Sequence, residues 1–301
     1  MSRSSVRRQL QFLGSENPGP DPATALFHVI PVPFERSVSY GVGAARGPGA
    51  ILEASEQLEV FDGIDVPLRH GIYTWPAVEC DGDTRTVFDR VQSACARALA
   101  AAAVPVVLGG EHALTLPAVE AAASAGELGV VQLDAHGDLR DHYHGERYSH
   151  ASVMRRCYDL GVPIHSLGVR ALAPDDREMR HAHPDRLSFQ DAADLVPFSV
   201  GEVLLPAAFP DRVYLTIDLD GLDPSLVSAT GTPEPGGLGW YQTLALVDSL
   251  ARRRRIVSFD VVELAPVEGR HADDFCAARL VYQVMGIIAR RRKAIPALRP
   301  S

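Results

Sequence analysis

A chain of 301 residues can bury an extensive core in one large α/β domain or two small ones, and its 46% apolar content is ordinary for a globular protein. The formal net charge of −9 argues against a nucleic-acid footprint and leans toward cationic ligands. No apolar run approaches the roughly 18 residues that span a bilayer. The scattered Cys80, Cys95, Cys157 and Cys276 form no CxxC pair and read as reduced thiols of a cytoplasmic protein.

The chain opens on a basic, Ser-containing stretch, MSRSSVRRQLQF, that lacks a secretory apolar core. Residues 1–24 therefore read as a flexible or oligomer-contacting arm, 25–291 as a single domain and 292–301 as a loose tail. Apolar, β-branched runs then recur: LFHVIPVPF, VPVVLGG, GVVQLDAH, PIHSLGVR, VYLTIDLD and RIVSFDVVEL. They are apolar throughout rather than alternating, which predicts strands buried on both faces of a parallel sheet. Helical patterns lie between them, most clearly over 84–103 and again over 243–255. The run Arg252–Arg255 suits the negative end of the latter helix and reads as a solvated helix terminus, not a targeting signal. Strand–helix alternation predicts an α/β fold with helices on both faces. The Gly/Pro-rich stretches 41–49 and 231–239 read as ordered loops over a site.

Three strands deliver metal-binding side chains just past their carboxyl ends, where open parallel sheets bind ligands. GVVQL runs into Asp134-Ala135-His136-Gly137-Asp138, and VYLTI into Asp218-Leu219-Asp220. Side chains of extended backbone alternate sides, so Asp134, His136 and Asp138 can converge, as can Asp218 and Asp220. VPVVLGGEHAL brings His112 past a Gly-Gly turn. Singly, each piece is more often a capping or turn aspartate. Together, four carboxylates and two imidazoles repel and protonate unless cations join them. The absence of thiolates favours Mn(II) over zinc, with Mg(II) and Co(II) as alternatives. Two ions about 3.5–4 Å apart would hold a hydroxide between them, for hydrolysis at an electrophilic carbon or phosphorus centre. His28, His70, His165, His181, His183 and His271 lack such company and read as packing or surface residues. His142 and His144 flank Tyr143 in a polar loop and read as lining the mouth.

GGEHAL (109–114), DAHGD (134–138), SHASVMRR (149–156), DLDGLDP (218–224) and GTPEPGGL (231–238) together resemble the ureohydrolase family, which contains arginase and agmatinase. YGVGAARGPGAI and SFDVVELAP extend the resemblance from about Pro31 to Ala289. It implies a three-layer α/β/α sandwich around a mostly parallel eight-stranded sheet, with two Mn(II) ions per chain. One ion would be held by His112, Asp134, Asp138 and Asp218, the other by Asp134, His136, Asp218 and Asp220. The resemblance matches His150 to a proton-shuttling histidine, Glu263 to the carboxylate that pairs with the guanidinium, and Thr232 to a threonine beside it. Asp138 would relay a proton to the departing amine. A homo-oligomer, trimer or hexamer, is also implied.

The substrate is read from the loop before His150, LRDHYHGERYSHAS, which resembles agmatinases more than arginases, as does GTPEPGGL. A small cationic guanidino substrate is expected, agmatine first, cleaved to putrescine and urea. Arg140 and Arg147 keep a guanidino acid such as guanidinobutyrate, or arginine itself, as the alternative. They read more simply as solvated loop residues pairing with Asp141 or Glu146. Residues 266–274 depart from the agmatinase pattern behind Glu263. A binuclear phosphoesterase and a non-catalytic metal protein complete the alternatives, and Glu263 would repel a phosphate.

Overall fold

The computed structural model describes residues 10–292. Eight strands form one sheet: β1 (Phe27–Val32), β2 (Ile72–Thr74), β3 (Val104–Gly109), β4 (Gly129–Leu133), β5 (Ile164–Leu167), β6 (Leu187–Gln190), β7 (Arg212–Asp218) and β8 (Arg255–Val262). Their order is β2-β1-β3-β8-β7-β4-β5-β6, and every pairing is parallel. Each of the six apolar runs supplies a strand, and all of β1, β3, β4 and β5 is buried. The remaining two were not legible. β2 has only three residues, and β6 sits at the far edge with Phe189 exposed.

The period of two sorts each strand between two apolar layers. Val29, Val106, Val131, Leu215 and Phe259 pack on one side with α1 (Gly47–Ser55), α7 (Trp240–Arg253) and α8 (His271–Arg292). Their neighbours Ile30, Val107, Val130 and Tyr214 pack on the other with α2 (Thr84–Ala100), α3 (Thr115–Ala123) and α4 (Val153–Asp159). Two short helices, α5 (Pro174–Ala182) and α6 (Ala192–Leu195), flank β6. The result is the expected three-layer α/β/α sandwich. No helix among the described residues is long and apolar enough to cross a membrane.

Helix boundaries differ from the sequence pattern for local reasons. The α2 helix stops at Ala100 because Ala102 turns left-handed (φ +57°), before Pro105 is reached. The α7 helix ends at Arg253, Arg254 is extended, and Arg255 already begins β8, so the arginine run straddles a helix and a strand. Gly47–Gly49 open α1 and do not belong to a loop.

The expected loose arm is corrected over its described part. Phe12 and Leu13 are buried against the α1/α8 layer, each such burial contributing about 1.5–3 kcal/mol. Phe12 N donates to Thr74 Oγ1 and Leu13 N to Ser55 Oγ, while Asn17 Nδ2 donates to the carbonyls of Phe12 and Ile72. This segment covers β2, the sheet edge. Residues 1–9 of the expected arm, and the tail beyond 292, lie outside the described residues.

The last two strands of the chain insert between β3 and β4. The four central strands thus come from distant sequence, and all present their carboxyl ends at the point where strand order reverses.

Candidate metal centre

Each central strand contributes to one rim. β3 leads through Gly109-Gly110 to His112. A Cβ at Gly110 would stand 1.9 Å from the Phe34 carbonyl oxygen, so only glycine lets the chain pass there. β4 leads to Asp134, His136 and Asp138, β7 ends on Asp218 with Asp220 in the following turn, and β8 leads to Glu263. Asp138 (φ +52°) and Glu263 (φ +65°) both hold the left-handed backbone that side chains other than glycine avoid. Such strain collects where surrounding structure dictates a side chain's direction.

His112 is fully buried. Its Nδ1 lies 3.2 Å from Asp134 Oδ2, 3.1 Å from Asp138 Oδ2 and 3.2 Å from Asp218 Oδ2. None of these meets hydrogen-bond geometry, and Nδ1 is left as a buried polar atom without a partner. The other ring nitrogen, Nε2, is 2.8 Å from Thr216 Oγ1. An Nε2–H given to that hydroxyl leaves a lone pair on Nδ1 aimed among three carboxylates, which is what a cation requires. On the adjacent side, His136 Nδ1 is 3.0 Å from Asp220 Oδ2 and 3.6 Å from Asp134 Oδ1. His112, Asp134 and Asp218 form one group of ligand atoms mutually within 4.8 Å, and Asp134, His136 and Asp220 form another. They share Asp134, as a bridged pair of ions would. The donor set, all oxygen and imidazole nitrogen, fits two divalent cations.

A second layer holds these ligands. Gln132, in the interior of β4, donates from Nε2 to Asp134 Oδ2 at 2.8 Å and accepts from Ser166 Oγ at 2.9 Å. His136 N donates to Asp134 Oδ1, Ala135 N to Asp220 Oδ1 and Asp220 N to Asp218 Oδ1. Thr216 is backed by Asp260, which also accepts from Thr115 Oγ1 and Tyr214 OH at 2.7 Å each. Arg170 donates to the carbonyls of Asp220 (2.6 Å), Glu234 (2.8 Å) and Pro235 (3.1 Å), tying the β7 turn to the 231–239 loop.

The protein alone balances this cluster poorly. Burial disfavours a charged His136, yet the carboxylates of Asp134 and Asp220 beside its ring lift it to about 12. His112 is likewise raised, its aspartates outweighing burial. Burial and neighbouring carboxylates push Asp138, Asp218 and Asp220 upward, and burial takes Glu263 to about 8 despite the bond from His112 N. His150 is lowered to about 4, by burial and then by repulsion from His112 and His136. Protonated imidazoles and reluctant carboxylates substitute for the positive charge that two cations would bring.

All the expected site residues meet here. His112, His136, Asp138, His150, Asp218, Asp220, Thr232 and Glu263 line one cavity of about 450 Å³. Glu263 Oε1 accepts from His112 N at 2.6 Å, and Thr232 Oγ1 is 3.4 Å from Asp220 Oδ2. The expected loops meet over the cavity: Gly41 N donates to Gly231 O, at an approach that a Cβ on Gly41 would close to 2.9 Å. The mouth differs from expectation, for Tyr143 lines it and His142 and His144 do not. Tyr143 packs edge-on to His150, with ring centroids 5.3 Å apart. Arg140 lines the cavity over the Tyr143 ring, whereas Arg147 pairs with Asp159 and Asp141 at the surface. His28 and His165 are packing residues as expected, bonded to Trp75 and Pro22 and to Ser188 and Gln190. Sequence reasoning passed over Gln132, Thr216 and Asp260. Their signal was a polar residue inside an otherwise apolar buried strand, which must find partners.

Comparison with known proteins agrees with this geometry. The Arginase family model matches residues 25–286. An N(1)-aminopropylagmatine ureohydrolase of Synechocystis sp. is 37% identical over 279 residues, covering 88% of this chain and 89% of its own. An agmatinase of Pyrococcus horikoshii is 30% identical over 287 residues, covering 91% and 96%. The crystal structure of agmatine ureohydrolase of Thermoplasma volcanium superposes with a TM-score of 0.82 at 29% identity, over 96% of this chain and 98% of that one. Fold, ligand order and relatives converge, and the chain belongs to the arginase family of binuclear-metal ureohydrolases, enzymes that hydrolyse carbon–nitrogen bonds of amidines and guanidines.

Proposed function

We propose that this enzyme hydrolyses the guanidino group of agmatine-type amines, agmatine or N(1)-aminopropylagmatine, releasing urea and the corresponding amine. One observation carries the reading: Glu263 and residues of both ligand groups line the same cavity from adjacent strand ends. Agmatine was the sequence expectation. The relatives at 34–37% identity, named for N(1)-aminopropylagmatine, add the longer amine.

His112, Asp134, Asp138 and Asp218 would hold one ion, and Asp134, His136, Asp218 and Asp220 the other, with Mn(II) the ion this donor set favours. Two such ions, when bound, supply a water acidic enough to attack at neutral pH and positive charge for the developing oxyanion. The chain does the rest. Glu263 has Oε1 fixed by His112 N and offers Oε2 to a guanidinium, clamping the carbon for attack. A bound guanidinium favours the ionised carboxylate that burial opposes. Asp138, whose proton affinity burial raises, passes a proton to the departing amine, and His150 exchanges protons with water at the mouth. At the other end, Glu234 is, apart from Asp138, the lining carboxylate that accepts no hydrogen bond from protein among the described residues. It is free to meet the ammonium of the amine tail.

A guanidino acid is the second reading, because Arg140 also lines the cavity. Asp176, close enough for the Arg140 charge to act on its carboxyl, weakens that reading. The test is urea release by Mn(II)-loaded enzyme from agmatine, N(1)-aminopropylagmatine, arginine and guanidinobutyrate in parallel. The two amines should give the largest kcat/KM. Turnover of an acid well above both would overturn the substrate assignment.

A further inference from the structure

Behind His150 lies a hydrogen-bond relay that the mechanism above does not use. Glu111 sits between Gly110 and His112 and is fully buried. Its Oε2 accepts the main-chain N–H groups of Arg36 and Ser37, the latter at 2.7 Å, and its Oε1 accepts the Ser37 hydroxyl at 2.9 Å. Ser37 Oγ is in turn 3.1 Å from His150 Nδ1 and 3.1 Å from the His150 main-chain nitrogen. The loop after β1, the turn after β3 and the turn entering α4 therefore meet at one hydroxyl.

Counting protons gives each bond its direction. Main-chain N–H groups can only donate, so Glu111 Oε2 accepts twice. Serine has one hydroxyl proton, and it goes to Glu111 Oε1 when that carboxyl is ionised, the form that its three accepted hydrogen bonds favour against burial. The Ser37 oxygen has two lone pairs left. One takes the His150 main-chain N–H, and the other faces Nδ1, which must then be the protonated ring nitrogen. Nε2 keeps the lone pair and has no protein partner among the described residues, on a ring that lines the cavity.

We propose that Glu111 and Ser37 are positioning residues that hold His150 in its Nδ1–H tautomer and so present Nε2 to the cavity as the proton acceptor. A histidine free to choose would spend part of its time with the wrong nitrogen protonated, and a fixed tautomer removes that loss. The role of His150 rests on the proposed function; the tautomer itself does not.

Three substitutions test the relay. Ser37→Ala removes the acceptor for Nδ1–H, whereas Ser37→Thr keeps it. Glu111→Gln is nearly isosteric but reverses the relay. The oxygen of the new amide would take the two main-chain donors, and its NH₂ would donate to Ser37 Oγ. The Ser37 proton would then turn to Nδ1, selecting the opposite tautomer. In Ser37→Ala and Glu111→Gln, kcat should fall at least about tenfold, with KM and bound metal within about twofold. Ser37→Thr should recover most of the rate. On a His150→Ala background neither change should lower kcat further, since the relay acts only through that ring.

Full kcat in Ser37→Ala and Glu111→Gln, with His150→Ala slow, would overturn the relay and leave the proposed function standing. A loss that adds to that of His150→Ala, or that accompanies lost metal, would make the contact structural and overturn it as well. Full kcat in His150→Ala would remove the shuttle, and the relay's purpose with it. If no guanidino compound is turned over, the proposed function fails separately. Nitrogen-15 spectra of histidine-labelled protein then still decide the tautomer: protonated Nδ1 on His150 supports the relay, and protonated Nε2 sinks it.

Discussion

The two ends of the cavity are built differently. At the metal end, His112, Asp134, Asp218 and Asp220 are at most 4% exposed, and each is held by a group on or beside a central strand. At the tail end, Arg140, Tyr143 and Glu234 stand on loops, with the Tyr143–Glu146 turn carrying left-handed His144 and Gly145. The metal end is over-determined, so its geometry survives changes elsewhere. The tail end rests on a few loop contacts, and there one residue can alter which amine fits without disturbing the chemistry.

The largest effect should come from the shared ligand. Asp134→Ala removes the carboxylate common to both ligand groups. Turnover should fall by at least about a thousandfold, and metal content, read by elemental analysis, should drop well below two ions per chain. The metal-free fold should lose melting temperature as well, because Gln132 and His136 lose the buried carboxylate that their hydrogen bonds and charge meet. Two ions retained would break the bridging assignment. Glu263→Gln should follow, keeping both ions and losing about a hundredfold in kcat/KM as a charge-assisted pair becomes a neutral bond. Normal turnover would remove Glu263 from the guanidinium clamp.

The same contrast explains what could be read from the chain. The metal end was legible because its ligands follow long apolar runs directly, and a buried parallel strand advertises itself by composition. Asp134, His136 and Asp138 needed only the alternation of extended backbone. Ser37 and Glu111 were not legible. They lie 74 positions apart, and only the parallel pairing of β1 with β3 brings the turns that carry them together. β2 was invisible because three residues carry no period. Phe12 and Leu13 were hidden by basic neighbours, although the apolar set Leu10, Phe12 and Leu13 was a signal that the segment had something to bury.

Stability of the metal-free protein should report the frustrated end by its pH dependence. Burial raises the proton affinity of Glu263, to about 8, and burial with neighbouring carboxylates raises Asp138, Asp218 and Asp220. A group whose folded pKa is raised contributes stability that is complete below its unfolded value and lost as pH climbs to the folded one. Metal-free protein should therefore lose melting temperature between about pH 4, where unfolded carboxylates titrate, and about pH 8. His136, raised to about 12, adds to this loss above about pH 6.5, where the unfolded imidazole titrates, while His150, lowered to about 4, offsets part of it below that pH. Mn(II) should abolish the slope, and stabilise more at pH 8 than at pH 5. A flat metal-free profile would show that the carboxylates are not crowded as described.

The smallest effect probes the tail end. Glu234 offers a carboxylate on a loop whose main chain Arg170 ties to Asp220, so its position is fixed while its charge stays free. An ion pair at a half-exposed site is worth up to about 1 kcal/mol. Glu234→Gln should therefore raise KM for agmatine about threefold to fivefold and leave kcat and metal content alone. The penalty should shrink at high salt, because screening already weakens the pair it removes. Guanidinobutyrate, which has no ammonium there, should bind no worse and, with one repelling charge gone, somewhat better. A kcat effect of the same size would move Glu234 toward the reacting atoms; equal KM changes for amine and acid would make it a packing residue and leave the amine tail without a reader.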